Sequence, residues 1–213
     1  MYDLVIKNGR VIDPESRFDK VTNLGIISGK IQLISDEEIL GEKEFDASSL
    51  VVAPGAIDLH SHGQDKENYR IQANDGVTTA LELEIGVADI TGWYSEREGK
   101  SLINFGASIG HIPVRMQVMR DPGGMLPLAD GAYKEASIEE INQMKNLMRE
   151  GFENGALAMG FGLAYTPMAT RWEAIEMFRI ASNYGASCHV HMRGMAGGIR
   201  TSINSKYAVT LYE

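Results

Sequence analysis

Short apolar runs separated by turn residues fill the first part of the chain. Leu4-Val5-Ile6, Leu24-Gly25-Ile26-Ile27 and Ile31-Gln32-Leu33-Ile34 have strand character, and Asn8-Gly9 and Ser28-Gly29 between them are hairpin signals. Residues 1–53 therefore read as a small all-β segment. From Pro54 the rhythm changes to strand, polar loop, helix, strand, the pattern of repeated β/α units that build a parallel sheet or barrel. The predicted strands run through Val51 to His60, Val77 to Glu84, Ile103 to His111, Ala156 to Gly162 and Ala186 to Met192. A short helical stretch is expected near Glu67 to Ala73. The strongest helix signal covers Ile138 to Glu153: Ser137 and Glu140 form a capping-box pattern, and Ile138, Ile141, Met144, Met148 and Phe152 keep helical spacing. Its methionines read as core filler. A further helix is predicted over Trp172 to Tyr184. Ile112 to Ala136, rich in proline and glycine, is expected to lack regular structure, and after Gly194 no sixth unit is legible.

Taken together these elements predict an α/β architecture, with residues 54–213 forming about five of the eight strands of a (β/α)8 barrel. A complete barrel takes roughly 250 residues, so the chain reads as truncated. An unclosed barrel would expose an apolar edge and interior, which predicts a homo-oligomer.

Composition adds exclusions. The 213 residues are 44% hydrophobic, enough for a sizeable core, and the net charge of -9 with interspersed signs argues against a nucleic-acid partner. No stretch approaches the ~18 uninterrupted apolar residues of a membrane span, so no membrane association is expected. One cysteine, Cys188, excludes an intrachain disulfide and suits a reducing compartment, so a cytoplasmic location is expected.

Candidate chemistry gathers at the predicted strand ends, the active-site face of a parallel barrel. His60 and His62 form one His-x-His pair and His189 and His191 another, accounting for four of the five histidines. Alternation in an extended strand places each pair on one side, where imidazoles can share an ion. Glu82 and Glu84 fall on one face of the second strand, and a buried carboxylate there demands a partner, metal or arginine. His111 ends the third strand, with three readings open: a metal-site neighbour, a hydrogen bonder to substrate or a plain polar strand end. Arg193 suits bidentate capture of a carboxylate, with pairing to an acidic loop as the alternative. Asp65 fits a helix N-cap. There is no phosphate-cradling Gly-x-x-x-x-Gly-Lys and no Gly-x-Ser-x-Gly elbow.

The N-terminal pattern followed by APGAIDLHSH resembles the amidohydrolase superfamily, and DGVTTALELEIG with CHVHMRG resembles its D-aminoacylase branch, including N-acyl-D-glutamate deacylases. The resemblance runs from about Tyr2 to Gly194. It implies a β-sandwich domain beside the barrel and one or two divalent ions, zinc by preference. The substrate it implies is a small N-acyl-D-amino acid whose amide is hydrolysed. Carried over residue by residue, it marks His60, His62 and His191 as metal ligands, with His189 supporting them or facing substrate. Glu84 is assigned as a ligand by hypothesis, because the branch has a cysteine where this chain has Glu84-Ile85. Tyr165, beside Gly160-Phe161-Gly162, is placed near substrate by analogy. The branch takes its general base from an aspartate after the last barrel strand, and no position here matches it. Two alternatives stay open: a catalytically incomplete metal-binding fragment that associates with other chains, or a cyclic amidase of dihydroorotase or hydantoinase type. Relatives of the cyclic-amidase kind carry a modified lysine on the fourth strand, and Ala156 to Gly162 contains none.

Overall fold

In the computed structural model of the chain, residues 1–194 are described. The chain divides into two compact units, Met1–Gly55 and a second that begins at Ala56.

The first unit is one mixed sheet of β1 (Tyr2–Asp13), β2 (Phe18–Ile27), β3 (Lys30–Ser35), β4 (Gly41–Asp46) and β5 (Val51–Val52). The order is β3-β2-β1-β4, with β5 also on β1. The predicted hairpin at Ser28-Gly29 is present: both residues take positive φ, 51° and 72°, where glycine is at no cost. Asn8-Gly9 instead lies inside β1, where the register against β2 shifts between Ile6 and Gly9. One strand went unpredicted, and the strand expected from Val51 to His60 is divided in two. β4 is charged at Glu42, Lys43, Glu44 and Asp46, with no apolar alternation to mark it, and Val51-Val52 pairs in parallel with Arg10 and Val11 instead of leading into the barrel. Pro54, which has no N–H to give a ladder, stands just beyond that pairing.

The second unit contains a five-stranded, all-parallel sheet in the order β10-β9-β8-β7-β6. Its strands are β6 (Ala56–Asp58), β7 (Val77–Val87), β8 (Asn104–Gly110), β9 (Met159–Gly162) and β10 (Cys188–His191). Each strand lies beside its predecessor in the chain, the winding of a barrel and not of an open doubly wound sheet. The helices are α1 (Lys66–Asn74), α2 (Ile90–Arg97), α3 (His111–Val118), α4 (Asp130–Tyr133), α5 (Ile138–Glu153) and α6 (Arg171–Asn183).

The core joins this sheet to its helices. Ile109 on β8 and Met159 and Phe161 on β9 are buried against Met144 and Met148 of α5 and Met177 and Ile180 of α6. Each such side chain contributes about 1.5–3 kcal/mol on burial. The capping box on α5 is formed in both directions between Ser137 and Glu140. Cys188 packs against this core, and burial pushes its thiol up from the ordinary value.

Three expectations are corrected. The first barrel strand ends at Asp58, so His60 and His62 stand in the loop beyond it. The stretch from Ile112 to Ala136 is not irregular throughout, because α3 and α4 lie in it. Pro113 is the third residue of α3, inside the first turn, where a backbone N–H would have no helical partner. His111 opens that helix instead of ending a strand.

Candidate metal centre

Four side chains from three segments converge at the C-terminal ends of the parallel strands. The loop after β6 is short and anchored: Asp58 Oδ1 accepts from the His60 N–H at 3.0 Å, and the Ser61 N–H donates to Leu81 O at 3.0 Å. It therefore still follows β7 after the strand has ended. The His60 and His62 rings meet edge to face with centroids 4.8 Å apart.

β7 supplies the carboxylates. Its ladder with β8 is regular to Glu82 and then breaks, resuming only at Val87 against Ile109. Gly86, at φ 68°, turns the chain within that break. Close packing continues on the other side: a Cβ on Gly160 of β9 would lie 2.5 Å from the carbonyl oxygens of Leu83 and Glu84. Glycine there is what allows β9 to approach the irregular strand.

Glu84 is 6% exposed and faces three imidazoles. Its Oε2 lies 3.6 Å from His60 Nε2 and 3.5 Å from His62 Nε2, and its Oε1 lies 3.0 Å from His191 Nδ1. The last contact is close, yet its angle is not that of a hydrogen bond, and Oε1 has no hydrogen-bond donor directed at it. Buried carboxylates left unpaired cost several kcal/mol. A divalent cation satisfies such an arrangement of one carboxylate and neutral imidazoles. His60, His62 and Glu84 each offer one ligand atom within 4.8 Å of the others, and His191 adds a fourth donor on the far carboxylate oxygen. The residues present thus fit a metal ion.

Sequence reasoning placed Glu82 beside Glu84 but gave it no task. Glu82, 8% exposed, accepts at Oε2 from His62 Nδ1 at 2.7 Å and at Oε1 from the Gly86 N–H at 3.3 Å. The period-two spacing of the two glutamates was the available signal. A cavity of about 330 Å³ opens beside Glu82, walled by Val87, Trp93, Pro113 and Met125, with Arg97 at its rim. The Arg97 guanidinium lies 4.1 Å over the Trp93 ring.

The other predicted site residues divide. Tyr165 joins the cluster at its border, its hydroxyl 3.3 Å from His191 Nδ1. His189 is half-buried and meets Ser187 Oγ at 3.2 Å through Nε2. Arg193 neither reaches toward a carboxylate nor pairs with an acidic loop: it donates to the backbone carbonyls of Leu163, Thr166 and Ala169, clamping the loop that carries Tyr165. His111 is fully buried and bonded through Nε2 to Glu173 Oε1 at 2.7 Å, so it stands behind the mouth in a structural cluster with Arg115. Asp65 caps α1, accepting from the Asn68 N–H. The segment after Gly194 that showed no sixth unit lies outside the described residues.

The chain is similar to an N-acyl-D-glutamate deacylase of Alcaligenes xylosoxydans xylosoxydans, 26% identical over 97% of this chain and 47% of the relative. A D-aminoacylase of the same organism is 27% identical over 98% of this chain and 48% of its own. A Clostridioides difficile dihydroorotase matches locally, 50% identical over 36% of this chain and 19% of the relative. Among solved structures, the N-acyl-D-glutamate deacylase of Bordetella bronchiseptica, complexed with zinc and a phosphonate mimic of the tetrahedral intermediate, superposes with a TM-score of 0.76. It is 25% identical, over 91% of this chain and 45% of that one. No family model matches. The fold is that of the amidohydrolase superfamily, and the chain spans about half the length of the curated relatives it matches.

Proposed function

We propose that this chain carries the metal-binding part of a zinc-type amidohydrolase that cleaves the amide of N-acyl-D-amino acids, with N-acyl-D-glutamate as the model substrate. The observation that carries the reading is Glu84, buried between His60 and His62 on one oxygen and His191 on the other. These four side chains would hold one or two divalent ions. When bound, a zinc-type ion lowers the pKa of its water and polarises the amide carbonyl. The protein's own residues do the placing. His60 and His62 are fixed by the anchored loop after β6, Tyr165 borders His191, and Arg193 holds the Tyr165 loop through three carbonyls. Proton delivery to the leaving amine calls for a general acid and base, and no described residue is assigned to it.

Among the described residues, strands β6 and β10 form the two edges of the parallel sheet, and Ile57 and Leu59 near β6 are 61% and 52% exposed. These features support self-association of the chain. No described helix is long and apolar enough to cross a membrane; the cytoplasmic location rests on the lone cysteine.

The dihydroorotase similarity favours a second reading, a cyclic amidase. Against it, β9 is Met-Gly-Phe-Gly and offers no lysine for a bridging carbamate. The test is zinc content by mass spectrometry of the purified 213-residue chain, followed by amine release from N-acetyl-D-glutamate and its L-enantiomer and ring opening of dihydroorotate to its N-carbamoyl product. Bound zinc with turnover of the D-substrate supports the reading; turnover of dihydroorotate alone would shift it to the cyclic amidase, and absence of metal binding would remove it.

A further inference from the structure

We propose that Glu82 is a positioning residue that holds His62 as a metal ligand through Nε2, an inference that rests on the metal-centre reading above and assigns it a part not yet given to any residue. The Glu82 carboxylate is fixed at both ends, by His62 Nδ1 at 2.7 Å and by the Gly86 N–H at 3.3 Å. An ionised carboxylate only accepts hydrogen bonds, so the proton of this contact sits on Nδ1 and the lone pair of the neutral ring on Nε2. That nitrogen faces Glu84 Oε2 at 3.5 Å, inside the cluster. One hydrogen bond thereby selects the tautomer, sets the ring plane and raises the basicity of the donor nitrogen.

The neighbouring histidine shows the contrast. His60 is held by its backbone N–H to Asp58, and its ring is 61% exposed against 31% for His62. One imidazole of the pair is therefore pre-oriented and the other adaptable. The irregular turn of β7 gives the arrangement its geometry, because Gly86 brings its own N–H back onto Glu82.

A merely structural ion pair between His62 and Glu82 would contribute to folding and leave metal affinity untouched, and cobalt binding separates the two. Apo protein is titrated with Co2+ alone, and the visible absorption bands and dissociation constant are recorded for the wild type, Glu82→Ala, Glu82→Gln and His62→Ala. Glu82→Ala is expected to bind about 10–100-fold more weakly, with altered bands. Glu82→Gln, which keeps an oxygen to accept from Nδ1–H but loses the charge, is expected to recover part of the loss. A wild-type dissociation constant and spectrum in Glu82→Ala would overturn the positioning role. Should Glu82→Ala fail to fold, Glu82→Gln decides by the same two readouts, weakened binding supporting the role and wild-type binding overturning it. If His62→Ala weakens cobalt binding while Glu82→Ala does not, only the positioning role falls. If the wild type binds no cobalt, the metal-centre reading falls with it.

Discussion

Glu84 Oε1 lies 3.0 Å from His191 Nδ1, which joins the second strand of the parallel sheet to the fifth across two intervening strands. The contact is possible because the sheet curls and because Gly160 on β9 lets the β7 backbone come close. The same carboxylate meets His60 and His62 on its other oxygen, so Glu84 is common to both sides of the cluster.

Replacement of Glu84 should therefore be more damaging to metal binding than replacement of Glu82. Glu84→Ala and Glu84→Gln are both expected to weaken zinc affinity by roughly a hundredfold or more, beyond the 10–100-fold typical of a supporting group. The linked measurement is thermal unfolding with and without zinc. A ligand at a hundred times its dissociation constant stabilises the folded state by about 2.7 kcal/mol. Zinc should raise the wild-type midpoint and leave that of Glu84→Ala unmoved, and an equal rise in both would remove Glu84 from the ligand set.

The buried cluster of His111, Arg115 and Glu173 has a different task. All three are fully buried, and Arg115 also donates to Gly131 O at 2.7 Å and to Lys134 O. Burial alone would raise the Glu173 carboxyl, but His111 and Arg115 hold it below its ordinary value. The cluster ties the start of α6 to α3 and to the loop before α5. Removing one partner strands a buried charge, so Glu173→Gln should cost about 3–5 kcal/mol, seen as a lower urea midpoint. The double change Arg115→Met with Glu173→Leu should cost less than the sum of the singles, because both charges leave together. Zinc affinity measured under folding conditions should stay at the wild-type value in each case.

Much of this arrangement was legible in the chain, for reasons that differ by element. Helix α5 declared itself because its capping box and its apolar spacing agree. Helix α2 did not: Gly92 and Thr91 sit in its first turn, and its apolar residues follow no helical period. Pro113 concealed α3 because a proline near a helix start and a proline in a loop look alike in sequence. The two His-x-His pairs pointed to the site, yet only spacing was visible, and the bulge that turns Glu82 and Glu84 onto the histidines depends on the β7–β8 ladder breaking after Glu82. Arg193 and His111 illustrate the opposite limit. Long or buried polar side chains take whichever partners the fold supplies, here backbone carbonyls and Glu173, and no local pattern announces them.

Asp121 offers a pH-dependent test in the stretch where regular structure was least expected. Its Oδ1 accepts from the N–H groups of Gly123 and Leu128, and its Oδ2 from those of Ala129 and Gly131, so one carboxylate organises the turn that leads into α4. Desolvation pushes this carboxyl up, but the four N–H groups outweigh it and hold the pKa below the ordinary 3.8. A carboxylate whose folded pKa is depressed adds stability that is complete above its unfolded pKa and disappears as pH falls through the folded one. The contribution should thus be present at pH 7 and fade below about pH 4. Asp121→Asn retains a single carbonyl oxygen for the four donors and should cost about 1.5 kcal/mol at pH 7, the low end for bonds to a charged acceptor because the site is partly open to water. The difference in unfolding free energy between wild type and Asp121→Asn, measured by urea titration from pH 7 down to pH 3, should shrink as the pH drops. A difference that stays constant over that range would show that the charge of Asp121 does not hold the loop.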